Sequence, residues 1–476
     1  MAGAFALCLG VAMLYDGSNR TDFSVQGFAL CFLVAATLSF GCHLFSRGGD
    51  SRLFRKEAMA TIGAGWLVAS VLGALPYLLI LPDVGPSAAF FESASGLTTT
   101  GASVLSHLED LPHSLHFWRG LSQWMGGLGV VVFFVAVLSF VGAGAKVLFS
   151  RESSAEAADL NTPRVQKGVG RLVLLYLVLS TLCFGSYLLC GLDAFDAVVH
   201  MFTTLSTGGF STRSASIAAF ANPALEWTAI LFMVIGGTSF LILIRACQRD
   251  WPAVRSSSEV KTYLLLLGLF SAAIFLFLLL DDRAPPASFA ETIRTALFQV
   301  VSIMTTTGYA TADFDQWLPV TQVLLLVMMF IGGCSGSTAG GTKVIRLLVA
   351  LRLAGLHIEK SYRSRVLRPV ELNGRHLSLE EQENVAVYIV LLLLVMIAGT
   401  LLVALVEPGM SFRGLLSTVP ACVFNIGPGL GEIGPGGNFA GLHAHTQTLL
   451  ALLMILGRLE LFAFFVLFAP GLWKRF

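Results

Sequence analysis

The chain of 476 residues is 55% hydrophobic and only 12% charged, with 30 Lys and Arg against 29 Asp and Glu, and its mean hydropathy is +0.78. A water-facing surface of this size needs about twice that charge density, so the composition excludes a soluble globular protein and places the chain in a bilayer. The net charge of +1 gives no footprint for a nucleic-acid partner, and eight cysteines without CxxC or CxxH spacing indicate neither a disulfide framework nor a metal cluster.

The first apolar run, Ala2 to Tyr15, lacks a basic start and a cleavage site and is followed at once by a second run. It predicts a retained helix, with the mature chain beginning near Met1. Further runs at 24-46, 58-82, 117-142, 169-192, 224-246, 261-281, 318-350, 385-406 and 446-470 predict an all-α integral membrane protein with about ten spans. Lys and Arg collect in 45-57, 146-171, 245-261, 343-375 and at the C-terminal end. The positive-inside rule makes these segments and both termini cytoplasmic, and puts the connections 83-116, 193-223, 282-317 and 407-445 outside.

Each outer connection begins with a semi-apolar stretch too short to cross: Phe90 to Leu97, Phe195 to Leu205, Phe289 to Met304 and Phe412 to Phe424. Glu92, Asp196 and Glu291 are expected near the helix starts, where the dipole favours negative charge. Each stretch ends in a turn of small residues: Thr98-Thr99-Thr100-Gly101, Ser206-Thr207-Gly208-Gly209-Phe210, Thr305-Thr306-Thr307-Gly308-Tyr309 and Asn425-Ile426-Gly427-Pro428-Gly429. One such turn reads equally well as an ordinary tight loop. Four copies, about every 110 residues and each after a short helix, predict a repeated unit of helix, re-entrant helix, turn and helix. The expected division is an extra helix pair at 1-46 and four repeats at 47-142, 143-246, 247-353 and 354-476.

Non-helical backbone at membrane depth is tolerated only when buried or lining an aqueous path. Four such turns about one axis offer a ring of carbonyl oxygens that replaces the water shell of an alkali cation. Glycine supplies the positive φ that turns carbonyls towards the axis. No turn contains an acid, which suits a weakly hydrated monovalent ion better than a divalent one.

In the run 318-350, Gly332-Gly333-Cys334-Ser335-Gly336-Ser337-Thr338-Ala339-Gly340-Gly341-Thr342 predicts a break in the helix, because each glycine costs about 0.5–1 kcal/mol relative to alanine. It is either a movable plug beneath the ring or a small-residue packing seam. Lys343, directly after it, either anchors that loop or is a positive-inside anchor. Arg458 lies midway along the last apolar run. A charge there costs about 2.5–3.5 kcal/mol to insert, so it either lines the pore or pairs with Glu460. Arg294 is expected to partner a nearby acid or carbonyl. The loop 355-384, with Arg363, Arg365 and Arg368, fits a docking surface or lipid headgroups.

Competing motifs are weak. Gly429 to Gly434 matches GxGxxG but runs into Pro435-Gly436-Gly437 rather than a helix. Gly336 to Lys343 lacks the Gly-Lys-Ser/Thr ending of a phosphate loop, and His443 and His445 adjoin no carboxylate cluster. The spans offer almost no constellation for hydrolysis, so neither an enzyme nor a covalent cofactor is expected.

The runs TTTGAS at 98-103, STGGFST at 206-212, TTTGYAT at 305-311 and NIGPGLGEIGP at 425-435 resemble the four filter turns of the Trk/Ktr/HKT superfamily of potassium transporters. The extra N-terminal pair resembles the bacterial Trk-type membrane subunit in particular, and the likeness covers nearly the whole chain. The resemblance implies potassium uptake across a bacterial inner membrane through a single-chain pseudo-fourfold pore. It also implies a homodimer and a cytoplasmic nucleotide-binding regulatory subunit. Carried over by position, the potassium-binding filter comprises Thr99, Thr100, Gly101, Ser206, Thr207, Gly208, Gly209, Thr306, Thr307, Gly308, Asn425, Ile426, Gly427 and Gly429. Its key glycines are Gly101, Gly209, Gly308 and Gly429, with the register between Gly208 and Gly209 open by one. Glycine in the first turn accompanies potassium selectivity in the superfamily, and serine accompanies sodium transport. The gate would comprise Gly332, Gly333, Gly336, Ser337, Thr338, Gly340, Gly341 and Lys343, with Arg458 at the constriction. The alternative is a cation-coupled symporter of an organic solute, whose signature is two inverted repeats with paired broken helices.

Overall fold

The computed structural model describes residues 1–17, 23–46, 55–140, 163–281, 288–363, 369–373, 375–461 and 464–465. The expected boundary at 142, Arg365 and Arg368 of the docking loop, and the basic residues at the C-terminal end lie outside the described residues.

The described residues are mostly helical. An opening pair, α1 (Ala2–Val11) and α2 (Ser24–Ser46), precedes α3 (Arg55–Ile80), α4 (Pro86–Leu97) and α5 (His113–Phe140). Next come α6 (Pro163–Leu189), α7 (Ala194–Leu205), α8 (Pro223–Gly236), α9 (Phe240–Cys247) and α10 (Trp251–Ser256). The second half contains α11 (Ser258–Leu279), α12 (Phe289–Met304), α13 (Pro319–Met329), α14 (Val344–Tyr362), α15 (Leu379–Val406), α16 (Phe412–Val423) and α17 (Ala444–Arg458). A two-residue hairpin, Glu371–Leu372 with Arg375–His376, is antiparallel.

Length and apolarity let α2, the 60–80 part of α3, the 168–189 part of α6, α11 and α15 cross a bilayer. Their outer faces leave Leu174, Leu182, Leu264, Leu393 and Leu401 exposed, as lipid contact requires. Three of the other apolar runs are interrupted. The run 224-246 divides into α8 and α9, bent by 101°, and 318-350 divides into α13, a non-helical segment and α14. The last run loses its helix at Arg458, where Glu460 (φ 57°) and Leu461 (φ 60°) turn left-handed.

The short helices α4, α7, α12 and α16 start at the caps that short helices need. Gly85 precedes Pro86, while Asp193, Ser288 and Ser411 accept from backbone N–H groups of the first turn. Asp196 and Glu291 lie in first turns, as expected. Glu92 does not: it sits a turn further along α4, fully buried. Packing runs α4 to α5, α5 to α7, α7 to α8, α8 to α12, α12 to α13, α13 to α16, α16 to α17, and α17 back to α4. The inner helices therefore form a closed ring, with the long apolar helices outside it.

Candidate functional site

Each short helix ends in the same backbone sequence. Thr99, Thr207, Thr306 and Asn425 are left-handed, at φ 55°, 53°, 58° and 55°, and two residues later Gly101, Gly209, Gly308 and Gly427 follow at φ 81°, 78°, 78° and 99°. A β-branched residue in that region is an outlier, and three threonines hold it here at a cost of about 1–3 kcal/mol each. The second turn is thereby registered on Gly209. In the fourth turn the matching glycine is Gly427, not Gly429, whose N–H instead bonds Ile433 O at 2.8 Å. Asn tolerates the left-handed position, so Asn425 replaces threonine and shifts the motif two residues earlier than a count from the last glycine.

Hydrogen bonding explains why these turns expose carbonyls. The N–H groups of Thr100, Gly208, Thr307 and Ile426 point back into their own helices, to Ser95 O, Thr203 O, Ser302 O and Ala421 O at 2.8–2.9 Å. No backbone N–H among the described residues takes the carbonyl oxygens of Thr100, Gly208, Thr307 or Ile426. Those four oxygens are arranged in a cycle. A Cβ on Gly101 would collide with Gly208 O, one on Gly209 with Thr307 O, one on Gly308 with Ile426 O, and one on Gly427 would stand 2.7 Å from Thr100 O. The fourth contact returns to the first turn, and Asn425 Nδ2 adds a bond to Thr100 Oγ1 at 2.9 Å. Above the ring, a cavity of about 310 Å³ is lined by all four glycines and by the outer connections. Those connections are themselves latched: Glu109 accepts from Ser214 N and Oγ at 2.7 and 2.6 Å, and these bonds hold its carboxyl below the usual carboxylate range.

On the side of the ring away from that cavity lies the segment 332–342, which is not helical and so is not a helix-packing seam. Gly332 (φ 77°), Gly336 (φ 68°) and Gly341 (φ 79°) fold it back on itself. Gly333 O accepts from Val344 N at 3.1 Å, and Ser337 Oγ bonds Cys334 O within the loop. Three of the four turns touch it. Thr338 Oγ1 bonds Leu205 O (3.1 Å) and Gly236 O (3.0 Å) and receives Thr207 Oγ1 (3.3 Å). Gly340 N donates to Thr306 Oγ1 at 2.6 Å, and Gly341 N to Phe424 O at 3.1 Å. The hydroxyl of Thr99, in the remaining turn, has no partner among the described residues.

Lys343, buried at the start of α14, turns back and donates Nζ to Ala339 O. Arg458 is the last residue of α17 rather than the middle of a span, is 4% exposed, and donates Nη1 to Thr338 O at 2.9 Å. Its Nε and Nη2 have no partner among the described residues. Glu460 is not its counter-ion; that carboxylate pairs with Arg346 at 2.5 Å. Arg294 partners Glu226 at 2.7 Å, as expected of it.

Two features escaped the sequence reading. The first is a glycine pair in three of the four units, Gly126-Gly127, Gly236-Gly237 and Gly332-Gly333, with Gly457-Arg458 at the corresponding place in the fourth. Gly126, Gly236 and Gly457 press against Leu97 O, Leu205 O and Val423 O at the ends of the short helices. Arg458 thus stands where the other three units have glycine. The triplets WMGGLG, VIGGTS and FIGGCS, with LGRL, were the available signal. The second is a buried polar set behind the first two turns, Glu92, Arg119 and Gln123, for which the sequence carries no local motif.

The family model described as TrkH, cation transport protein, matches residues 22–475. The chain is 37% identical over 413 residues to the Trk system potassium uptake protein TrkI of Halomonas elongata, covering 86% of this chain and 82% of that protein. It is 34% identical over 477 residues to the Trk system potassium uptake protein TrkH of Escherichia coli, covering 98% and 95%. Among solved structures, the potassium transporter TrkH from Vibrio parahaemolyticus superposes with a TM-score of 0.89 at 30% identity, over 99% of this chain and 96% of that one.

Proposed function

Because this chain belongs to the TrkH family of cation transport proteins, and is therefore a multi-pass membrane transporter, we propose that it takes up potassium across the bacterial inner membrane through the ring of four turns. The observation that carries this reading is the cyclic closure of the ring: each glycine abuts the next turn's carbonyl, and the fourth returns to the first. Such carbonyls, with no competing backbone donor and no acid among them, suit a dehydrated monovalent cation. The names of the relatives, potassium uptake proteins, agree.

In this reading the filter is made by Thr99, Thr100, Gly101, Ser206, Thr207, Gly208, Gly209, Thr306, Thr307, Gly308, Asn425, Ile426 and Gly427, with Gly429 supporting the outer edge. The segment 332–342, Lys343 and Arg458 form the gate. The bond from Arg458 to Thr338 O supports that role, since it ties a buried cation to the loop that covers three turns. The unit boundaries at 46, 142, 246 and 353 give four pore repeats behind an N-terminal pair. Basic segments and both termini face the cytoplasm. A second copy of the chain and a cytoplasmic nucleotide-binding subunit complete the transporter; in the docking loop, Arg363 is already engaged with Glu359 at 3.5 Å. Four turns of one backbone sense, arranged cyclically, do not supply the inverted repeats that an organic-solute symporter requires.

The test is rubidium uptake into vesicles containing the purified protein, driven by a potassium gradient and challenged with sodium. The expected result is flux that tolerates sodium, and Gly101→Ser is expected to shift the preference towards sodium by about tenfold or more, about 1.4 kcal/mol. An unchanged preference in that variant would sink the reading.

A further inference from the structure

Along α5, Arg119 and Gln123 lie one turn apart on the face that meets the first and second turns, 1% and 0% exposed. Gln123 Nε2 donates to Gly208 O at 2.6 Å, and its Oε1 accepts from Phe210 N at 3.1 Å. Arg119 donates Nε to Glu92 Oε1 (2.9 Å), Nη1 to Ser211 O (3.0 Å) and Nη2 to Ser103 Oγ (3.2 Å), with its guanidinium 4.1 Å from the centre of the Phe210 ring. Glu92 in turn accepts from Ser103 Oγ and Val104 N. One helix face therefore holds the outgoing strands of both turns and one of the four ring carbonyls.

The other three junctions are built differently. Counting back from the glycine pairs, the positions of Arg119 are Ala229, Leu325 and Leu450, and those of Gln123 are Met233, Met329 and Met454; all six are fully buried. The ring position of Gly208 is Thr100, Thr307 and Ile426 elsewhere, and a Cβ on Gly208 would run into the amide of Gln123. The extra glycine of the second turn is thus the space that lets Gln123 reach the backbone. Among the described residues, Gly208 O alone of the four ring carbonyls receives a side-chain donor.

We propose that Gln123, supported by the Arg119–Glu92 pair, is a positioning residue that sets ion preference at this one junction of the ring. The proposal rests on the reading of the ring as a potassium filter. A donor bound to Gly208 O fixes its direction and occupies one lone pair, which weakens the field that this carbonyl presents to an ion. A weaker field favours the larger, more easily dehydrated potassium; field strength and ligand number are among the levers of such filters, beside cavity size. Arg119, with three donors in a rigid fork, holds the strands after Gly101 and Gly209 at one spacing, so that the carbonyl cannot follow a smaller ion inwards.

The decisive variant is Gln123→Met, because methionine is what the other three junctions carry and its volume matches. Rubidium uptake would be measured in vesicles with rising external sodium, alongside the maximal rate and the thermal unfolding of the purified protein. The expected result is a folded transporter whose preference for potassium over sodium falls about tenfold, with a smaller loss of maximal rate. Arg119→Lys, which keeps the charge facing Glu92 but loses the fork, is expected to move preference the same way by a smaller factor. Unchanged preference in the folded Gln123→Met variant, or a fall in maximal rate alone, would overturn the proposal; if that variant does not fold, Arg119→Lys with unaltered preference overturns it instead. A wild-type protein without potassium-selective flux would overturn the filter reading itself, and is told apart because it requires no variant.

Discussion

Gly427 and Gly429 differ by two positions and have different physical roles. Gly427 sits at φ 99° with Thr100 O 2.7 Å from where its Cβ would be. A left-handed backbone costs an ordinary residue about 1–2 kcal/mol, and here the clash falls on backbone that cannot rotate away. Gly429 has no positive φ, and its added Cβ would meet mainly the side chains of Ile433 and Ser417. Gly427→Ala is therefore expected to reduce rubidium uptake and its preference over sodium more than Gly429→Ala does; equal effects in both would place the ring on the wrong glycine. The sequence could not make this choice, because it shows three glycines within six residues after Asn425, and only the left-handed Asn425 fixes which one is equivalent to Gly101. By contrast the first and third turns were legible directly, since both read Thr-Thr-Thr-Gly.

Among the elements, the segment 332–342 shows what composition does and does not tell. Five glycines in eleven positions announce a broken helix, and the break is there. What the loop binds depends on Leu205, Gly236, Thr306 and Phe424, which come from three other parts of the chain and meet it only in three dimensions. Thr338 is the hinge pin of that arrangement, with its hydroxyl shared among Leu205 O, Gly236 O and Thr207 Oγ1. Thr338→Val keeps the shape and removes the hydroxyl, leaving buried carbonyls that lose about 1–3 kcal/mol of hydrogen bonding. The loop should release more readily, so basal rubidium flux without any partner protein is expected to rise severalfold; a flux unchanged or lowered would mean the loop does not obstruct the path. The same limit of sequence reading applies to Arg458. Its cost in lipid was evident from its charge, but its choice of Thr338 O over Glu460 turns on Arg346, more than a hundred residues away, which takes that carboxylate.

At the scale of the molecule, the closed order of inner helices is held where the first and last turns meet, between α4 and α17 and between Thr100 and Asn425. Asn425 has three duties there: it bonds Thr100 Oγ1, bonds Met454 O at 3.0 Å, and accepts a left-handed backbone. Asn425→Ala should lower the thermal unfolding temperature in detergent by several degrees, corresponding to about 1–3 kcal/mol, and a stability equal to the parent would remove Asn425 from the closure. The repeat architecture was readable from periodicity alone, because each unit repeats its short helix and turn. The inequivalence of the units was not, since Arg119, Gln123 and Arg458 replace Ala, Leu, Met or Gly at positions that align only once the glycine pairs are recognised as equivalent.

Because one continuous chain supplies all four turns of the ring, a single codon change alters one ring carbonyl's surroundings in four. A tetramer of identical subunits changes all four at once and must survive a fourfold perturbation to gain any new property. Here each quadrant is free to drift separately, one holding a bare carbonyl, another a carbonyl restrained from behind, another a guanidinium beneath it. Evolution can grade the proposed conduction path in quarter steps, and an experimenter substituting one residue at a time has the same resolution.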